Sequence, residues 1–109
     1  PALQNREDDA SERVMNAYLK CSGKPLLSLE SATLHPLQSL ADLITIRETW
    51  TEKRRPRIAL TWAPHMKPLP HCVANSFAQW VTAWGAADLT VACPPGDGLD
   101  RQSTRGGPV

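Results

Sequence analysis

An α/β fold built on a parallel sheet is what this sequence predicts, and three observations predict it. Short, mostly apolar runs of strand length stand at 26–29, 58–63 and 88–93. Between and before them, apolar residues recur at helical spacing over longer stretches. Pro and Gly punctuate the boundaries, and the connections are short. Strands that alternate with helices in this way pair in parallel through right-handed crossovers.

The polar, acidic stretch 1–10 reads as surface. From Ser11 or Glu12 to about Lys20, the residues Val14, Met15, Tyr18 and Leu19 repeat at helical spacing, and Ser22-Gly23 closes the helix where a C-terminal glycine belongs. Its apolar stripe is expected to pack on the sheet. Leu26, Leu27, Ser28 and Leu29 follow Lys24-Pro25 and read as a buried strand. From Leu37 the period changes. Leu37, Leu40, Ala41 and Ile44 share one helical face, widened by Leu43 and Ile46, and Pro36 suits the first position, where its missing N–H is no loss. Residues 47–57 lose nearly all apolar character and read as a helix end and connector. A second buried strand at 58–63 leads into a Pro-rich loop, 64–70. The next helix carries Val73, Phe77, Trp80, Val81 and Trp84 on one face and ends at Gly85. A third strand at 88–93 stops at Pro94-Pro95-Gly96.

Charge and composition exclude several functions. With 12 Lys and Arg against 11 Asp and Glu, the net charge of +1 gives no electrostatic case for nucleic acid or an anionic membrane. The basic run Lys53, Arg54, Arg55 and Arg57 is diluted by Glu48 and Glu52 and lacks interleaved aromatics. No apolar run approaches the ~18 residues of a membrane-spanning helix. The three cysteines, Cys21, Cys72 and Cys93, are odd in number and far apart, which favours free thiols in a reducing compartment. His65, His71, Cys72 and Cys93 lack the paired spacing of common metal sites, so no metal is expected. A Cys72–histidine nucleophile pair has nothing else to single it out, and a structural thiol is the simpler reading.

The chemistry concentrates at Glu30-Ser31-Ala32-Thr33-Leu34-His35-Pro36-Leu37-Gln38, where the first expected strand feeds the Pro36 helix. The free N–H groups and positive dipole end of that helix favour an anion or a developing negative oxygen. His35 flanks the mouth and Gln38 reaches it from the first turn. A histidine donor and a carboxamide together suit a small planar group carrying C=O and NH2, and Glu30 can accept from an amine. The plainer alternative is a histidine and a glutamine that satisfy loop backbone. Spacing alone leaves both open.

His35-Pro36-Leu37-Gln38 resembles the His-Pro-x-Gln signature of the carbamoyltransferases, the family of the ornithine and aspartate enzymes. Leu29-Glu30-Ser31-Ala32-Thr33, Ser39-Leu40-Ala41-Asp42 and Thr61-Trp62-Ala63-Pro64-His65-Met66-Lys67-Pro68-Leu69-Pro70 resemble the branch that works on N-acylated ornithine. The similarity covers about residues 5–100. It implies a fragment spanning the junction of two doubly wound domains, with 1–50 the end of the carbamoyl-phosphate domain including the interdomain helix. Residues 51–100 would begin the amino-acid domain, and 101–109 would be a disordered tail. By the same resemblance His35 and Gln38 hold the carbamoyl group, Pro36 and Leu37 complete that binding signature, and Glu30 and His65 contact the acylated ornithine. Carbamoyl phosphate and N-acylornithine are then the substrates, in a cytoplasmic homotrimer of arginine biosynthesis that needs no cofactor.

Departures from the family set further expectations. A chain that starts at Pro1 and lacks an upstream Ser-x-Arg-Thr phosphate loop reads as an internal piece, inactive alone. Ser103-Thr104-Arg105 lies on the wrong side of the signature to replace that loop. Enzymes that use free ornithine carry a Gly-Asp-x-x-Asn type segment where this chain has Ala63-Pro64-His65, which argues for an acylated substrate. Lys67 has no motif match. Two other classes compete: a nucleotide-binding domain, whose Gly-x-Gly-x-x-Gly mark is absent after every expected strand, and a non-catalytic α/β interaction module.

Overall fold

The structure, a computed structural model, describes residues 10–63 and 69–92. Along the chain run helix α1 (Arg13–Ser22), helix α2 (Pro36–Thr49), strand β1 (Arg57–Thr61), helix α3 (Cys72–Trp84) and strand β2 (Asp88–Ala92). The two strands pair in parallel, Arg57 opposite Asp88 through to Thr61 opposite Ala92. Backbone bonds extend the ladder at both ends: Asp88 N–H donates to the Pro56 carbonyl at 2.9 Å and Trp62 N–H to that of Ala92 at 3.2 Å. The expected α/β class with parallel strands is therefore present, and α3 supplies the crossover that parallel strands need.

Local signals act where the sequence places them. Pro36 stands at the first turn of α2. Gly23 and Gly85 close α1 and α3 in the left-handed region, at φ 57° and 67°, where a Cβ would be strained. Gly85 N–H returns to the Val81 carbonyl at 3.1 Å and satisfies one of the last carbonyls of α3.

Leu43, Val81 and Ala87 form the core, with Ile46, Ile58, Phe77, Trp80, Trp84 and Leu89 packed around them. Phe77, Trp80, Val81 and Trp84 of the expected α3 face are core, whereas Val73, expected on the same face, is 44% exposed at the first turn. Other expectations fail. The apolar stripe of α2 is not the buried one: Leu37, Leu40 and Ile44 are 48%, 39% and 46% exposed, whereas Ser39 and Leu43 are buried and Ile46 turns to the core. At 100° per residue the Ser39–Leu43–Ile46 line lies on the far side of the helix from Leu37, and α3 selects it. The strands are half-covered, not buried: Ile58, Leu60, Leu89 and Val91 turn inward while their neighbours are exposed. Strands with a single covered face alternate in this way.

Leu26 to Leu29 forms no strand, and Leu27 is 90% exposed. A strand exists only with a hydrogen-bonded neighbour, and among the described residues none lies beside it. Helix α1 does not pack on the sheet; none of its residues is buried, and Val14 and Tyr18 are both 64% exposed. The inner face of the strands is already taken by the core that α2 and α3 build. Among the described residues, no helix is long and apolar enough to cross a membrane.

Candidate active site

The segment that carries Glu30 and His35 is a folded loop held from two sides. Ser31 N–H donates to the Leu34 carbonyl at 2.8 Å and Leu34 N–H returns to the Ser31 hydroxyl at 3.1 Å, which closes a tight turn before the helix. On one side stands Glu12, at the head of α1. Its carboxylate accepts from the Ser31 hydroxyl at 2.5 Å, from Thr33 N–H at 2.9 Å, from Ala32 N–H at 3.4 Å and from the Thr33 hydroxyl in a short contact. Burial alone would push this carboxyl up. The hydrogen bonds from Ser31, Thr33 and Ala32 outweigh it and hold the group below its ordinary range. Glu12 also sits at φ 55°, a left-handed conformation uncommon for a residue with a side chain.

On the other side is the first turn of α3. Cys72, Asn75 and Ser76 stand at i, i+3 and i+4, one face of the helix, and each meets a different part of the loop. The Cys72 thiol donates to Glu30 Oε1 at 3.7 Å, Asn75 Nδ2 donates to the Thr33 carbonyl at 3.4 Å, and the Ser76 hydroxyl accepts from His35 N–H at 3.0 Å. Cys72 is buried, and burial together with the charge of Glu30 pushes its thiol up, so it stays protonated as a donor. That agrees with a structural thiol.

His35 is the residue before the first turn of α2. Its carbonyl accepts from Ser39 N–H at 3.3 Å and from the Ser39 hydroxyl at 3.4 Å. Its ring atom Nδ1 is buried with no hydrogen-bond partner among the described residues. Pro36 is half-buried and Leu37 exposed. Gln38 donates its amide nitrogen to Asp42 Oδ1 at 2.9 Å, one turn further along the same exposed face. Its donor therefore points down the helix and must swing to reach the mouth, while its position in the first turn is as expected. His65 and Lys67 lie outside the described residues, as do Cys93 and the stretch 94–109. Trp62, just before them, meets His71 edge to face with ring centroids 4.9 Å apart.

Glu30 and His35 thus share one turn, braced by residues that carried no functional signal in the sequence. Glu12 lies 19 to 21 residues from the groups it binds and Ser76 lies 41 from His35. No local pattern marks such pairs. Among the described residues, no group of three metal-ligating side chains comes together.

A parallel βαβ unit, preceded by a helix with His35 just before its proline start, is the α/β arrangement that the described residues build. No family model matches the chain. Comparison with curated proteins and solved structures finds a consistent set of relatives. The chain is 47% identical over 98 residues to N-succinylornithine carbamoyltransferase of Bacteroides fragilis, covering 90% of this chain and 30% of that protein. It is 37% identical over 91 residues to N-acetylornithine carbamoyltransferase of Xylella fastidiosa, covering 82% and 26%. Its fold superposes, with TM-score 0.75 and 32% identity, on a crystal structure of an N-acetyl-L-ornithine transcarbamylase variant complexed with carbamyl phosphate and N-succinyl-L-norvaline; 91% of this chain and 30% of that one are covered. The chain resembles the carbamoyltransferases over nearly all of its length. Its similarity runs to members named for N-acylated ornithine, and it spans about 30% of the length of the first of these relatives.

Proposed function

We propose that this chain is part of a carbamoyltransferase that moves the carbamoyl group of carbamoyl phosphate to the side-chain amine of an N-acylated ornithine. The observation that carries the reading is His35, held by its backbone at the head of α2 on the same turn as Glu30. A carbonyl oxygen placed at that helix head meets a histidine donor and the positive end of the dipole. A protonated or neutral amine finds the Glu30 carboxylate nearby.

The reaction uses these groups in a simple order. The neutral amine nitrogen bonds to the carbamoyl carbon, the bond from that carbon to the phosphate oxygen breaks, and phosphate leaves carrying the proton that the amine gives up. Negative charge grows on the carbonyl oxygen in between. An aimed donor such as His35 lowers that barrier by about 3 to 4 kcal/mol. Gln38, freed from Asp42, orients the carbamoyl NH2; Pro36 and Leu37 shape the binding turn; Glu30 and His65 contact the acylated ornithine. No covalent enzyme intermediate and no cofactor enters.

The wider reading follows from the same resemblance. The domain junction falls near residue 50, with α2 as the interdomain helix. The complete protein is a cytoplasmic homotrimer of arginine biosynthesis. The test is turnover by the protein expressed from its complete reading frame, with carbamoyl phosphate and ornithine, N-acetylornithine or N-succinylornithine in turn. Citrulline derivatives formed from the acylated substrates alone are expected. Equal use of free ornithine, or no turnover with any of the three, would overturn the proposal.

A further inference from the structure

A histidine that must aim one ring nitrogen at a reacting oxygen usually has its other nitrogen tied to a carboxylate or a carbonyl, which fixes the ring and its tautomer. Among the described residues, His35 has no such tie. Nδ1 is buried and finds no partner among the described residues. The ring therefore takes its position from the backbone that carries it, and that backbone is gripped at both ends of one residue. Ser39 holds the carbonyl from within α2, a contact any helix start can make. The N–H is different. It precedes the first turn of α2, where no helix carbonyl is available, and it bonds to the hydroxyl of Ser76 at 3.0 Å.

Ser76 is itself 1% exposed, a polar side chain enclosed where α3 meets the loop. A buried hydroxyl is retained where it satisfies a specific partner, and here the partner is the amide of the histidine that leads α2. We infer that Ser76 is the positioning residue for His35: it fixes the head of α2 against α3 and so sets where the imidazole points. This rests on the carbamoyl-transfer reading for its kinetic meaning, though the geometric claim stands by itself. Asn75 and Cys72 brace neighbouring parts of the same loop, but neither touches His35.

Removing the hydroxyl leaves the His35 amide a part-buried donor without its protein acceptor, and the loop shifts to find another or water. A shift on the order of 1 Å at the reacting group costs up to 10²-fold in rate. In the protein expressed from its complete reading frame, Ser76→Ala is expected to lower kcat by about 10- to 100-fold, with the KM for carbamoyl phosphate within about 2-fold of the parent. Ser76→Cys keeps the size with a weaker acceptor and should fall between the two. Thr82→Ala removes another hydroxyl from the same helix, one that bonds only the Ala78 carbonyl, and should leave kcat unchanged.

A parent-like kcat for Ser76→Ala would overturn the inference, as would an equal loss in Thr82→Ala. If the unsubstituted protein shows no carbamoyl transfer, the proposed function fails and a second measurement decides the geometric claim. The His35 ring Cε1–H resonance of the protein expressed from its complete reading frame should move in Ser76→Ala while that of His71 stays. An unmoved His35 signal would refute the positioning role.

Discussion

The contact most exposed to a quantitative test is the Glu12 clamp. Four donors converge on one carboxylate from Ser31, Ala32 and Thr33, and hydrogen bonds to a charged acceptor are worth about 1.5 to 3 kcal/mol each when sheltered. Glu12 is only half-buried, so solvent competes for it, and the net holding energy on the loop is set at about 1 to 2 kcal/mol. Glu12→Gln keeps the shape, removes the charge and turns an NH2 toward donors. The readout is amide exchange at Ala32 and Thr33, which should quicken about 5- to 30-fold at neutral pH.

The pH dependence fixes the sign. The folded carboxyl titrates below its ordinary value of 4.5, so its contribution is complete above that value and fades as pH falls through the lowered one. The parent should lose its extra protection across that acid window. The glutamine variant has nothing there to lose, so the two proteins should converge. A gap between them that is the same at neutral and acid pH would show that shape, not charge, holds the loop, and the argument would be wrong.

Other expectations follow from the same geometry. In the complete protein, His35→Ala should lower kcat by about 10²- to 10³-fold with little change in carbamoyl-phosphate affinity, whereas Glu30→Gln should mainly raise the KM for the acylated amino acid; equal small losses for both would remove the site. Leu43→Ala, in the core, should cost about 2 to 4 kcal/mol in denaturant unfolding, and Leu37→Ala, half-exposed on the same helix, less than about 1 kcal/mol; a reversed order would return the buried face to the Leu37 stripe. Exposed Cys21 should alkylate at least ~10-fold faster than buried Cys72 at neutral pH, and Glu30→Gln should bring the Cys72 thiol down toward its ordinary 9.0 while burial still holds it above; a faster Cys72 would mean that the loop opens.

What the sequence makes legible here is local chemistry. Pro36 and the glycines after α1 and α3 mark their helix ends because each acts through its own backbone angles. Strands β1 and β2 are visible because a parallel pair joined by one helix needs only the composition of those segments. Burial faces are less legible. Leu37, Leu40, Ala41 and Ile44 make a plausible apolar stripe, but the choice of face depends on which helix arrives, and α3 arrives on the side of Ser39. The same holds for Leu26 to Leu29, whose strand-like composition needs a neighbour to become a strand. Of the candidate site, His35, Gln38 and Glu30 could be singled out by chemical type, while their supports, Glu12 and Ser76, act across distances in sequence that no spacing rule reaches.

The two supports of the 30–35 loop belong to parts of the molecule with very different cohesion. Ser76 stands on α3, whose Val81 is fully enclosed in the core, so it yields only when that core yields. Glu12 stands on α1, which buries no residue of its own and is free to open in a local, low-energy unfolding event. The loop therefore straddles a border between two cooperative units. When α1 opens, Ser31 to Thr33 lose their anchor while His35 keeps its own, and the carboxylate of Glu30 sits between the two. Fluctuations in α1, none of whose described residues joins the core, thus reach the Glu30 side of the loop and stop short of the His35 side.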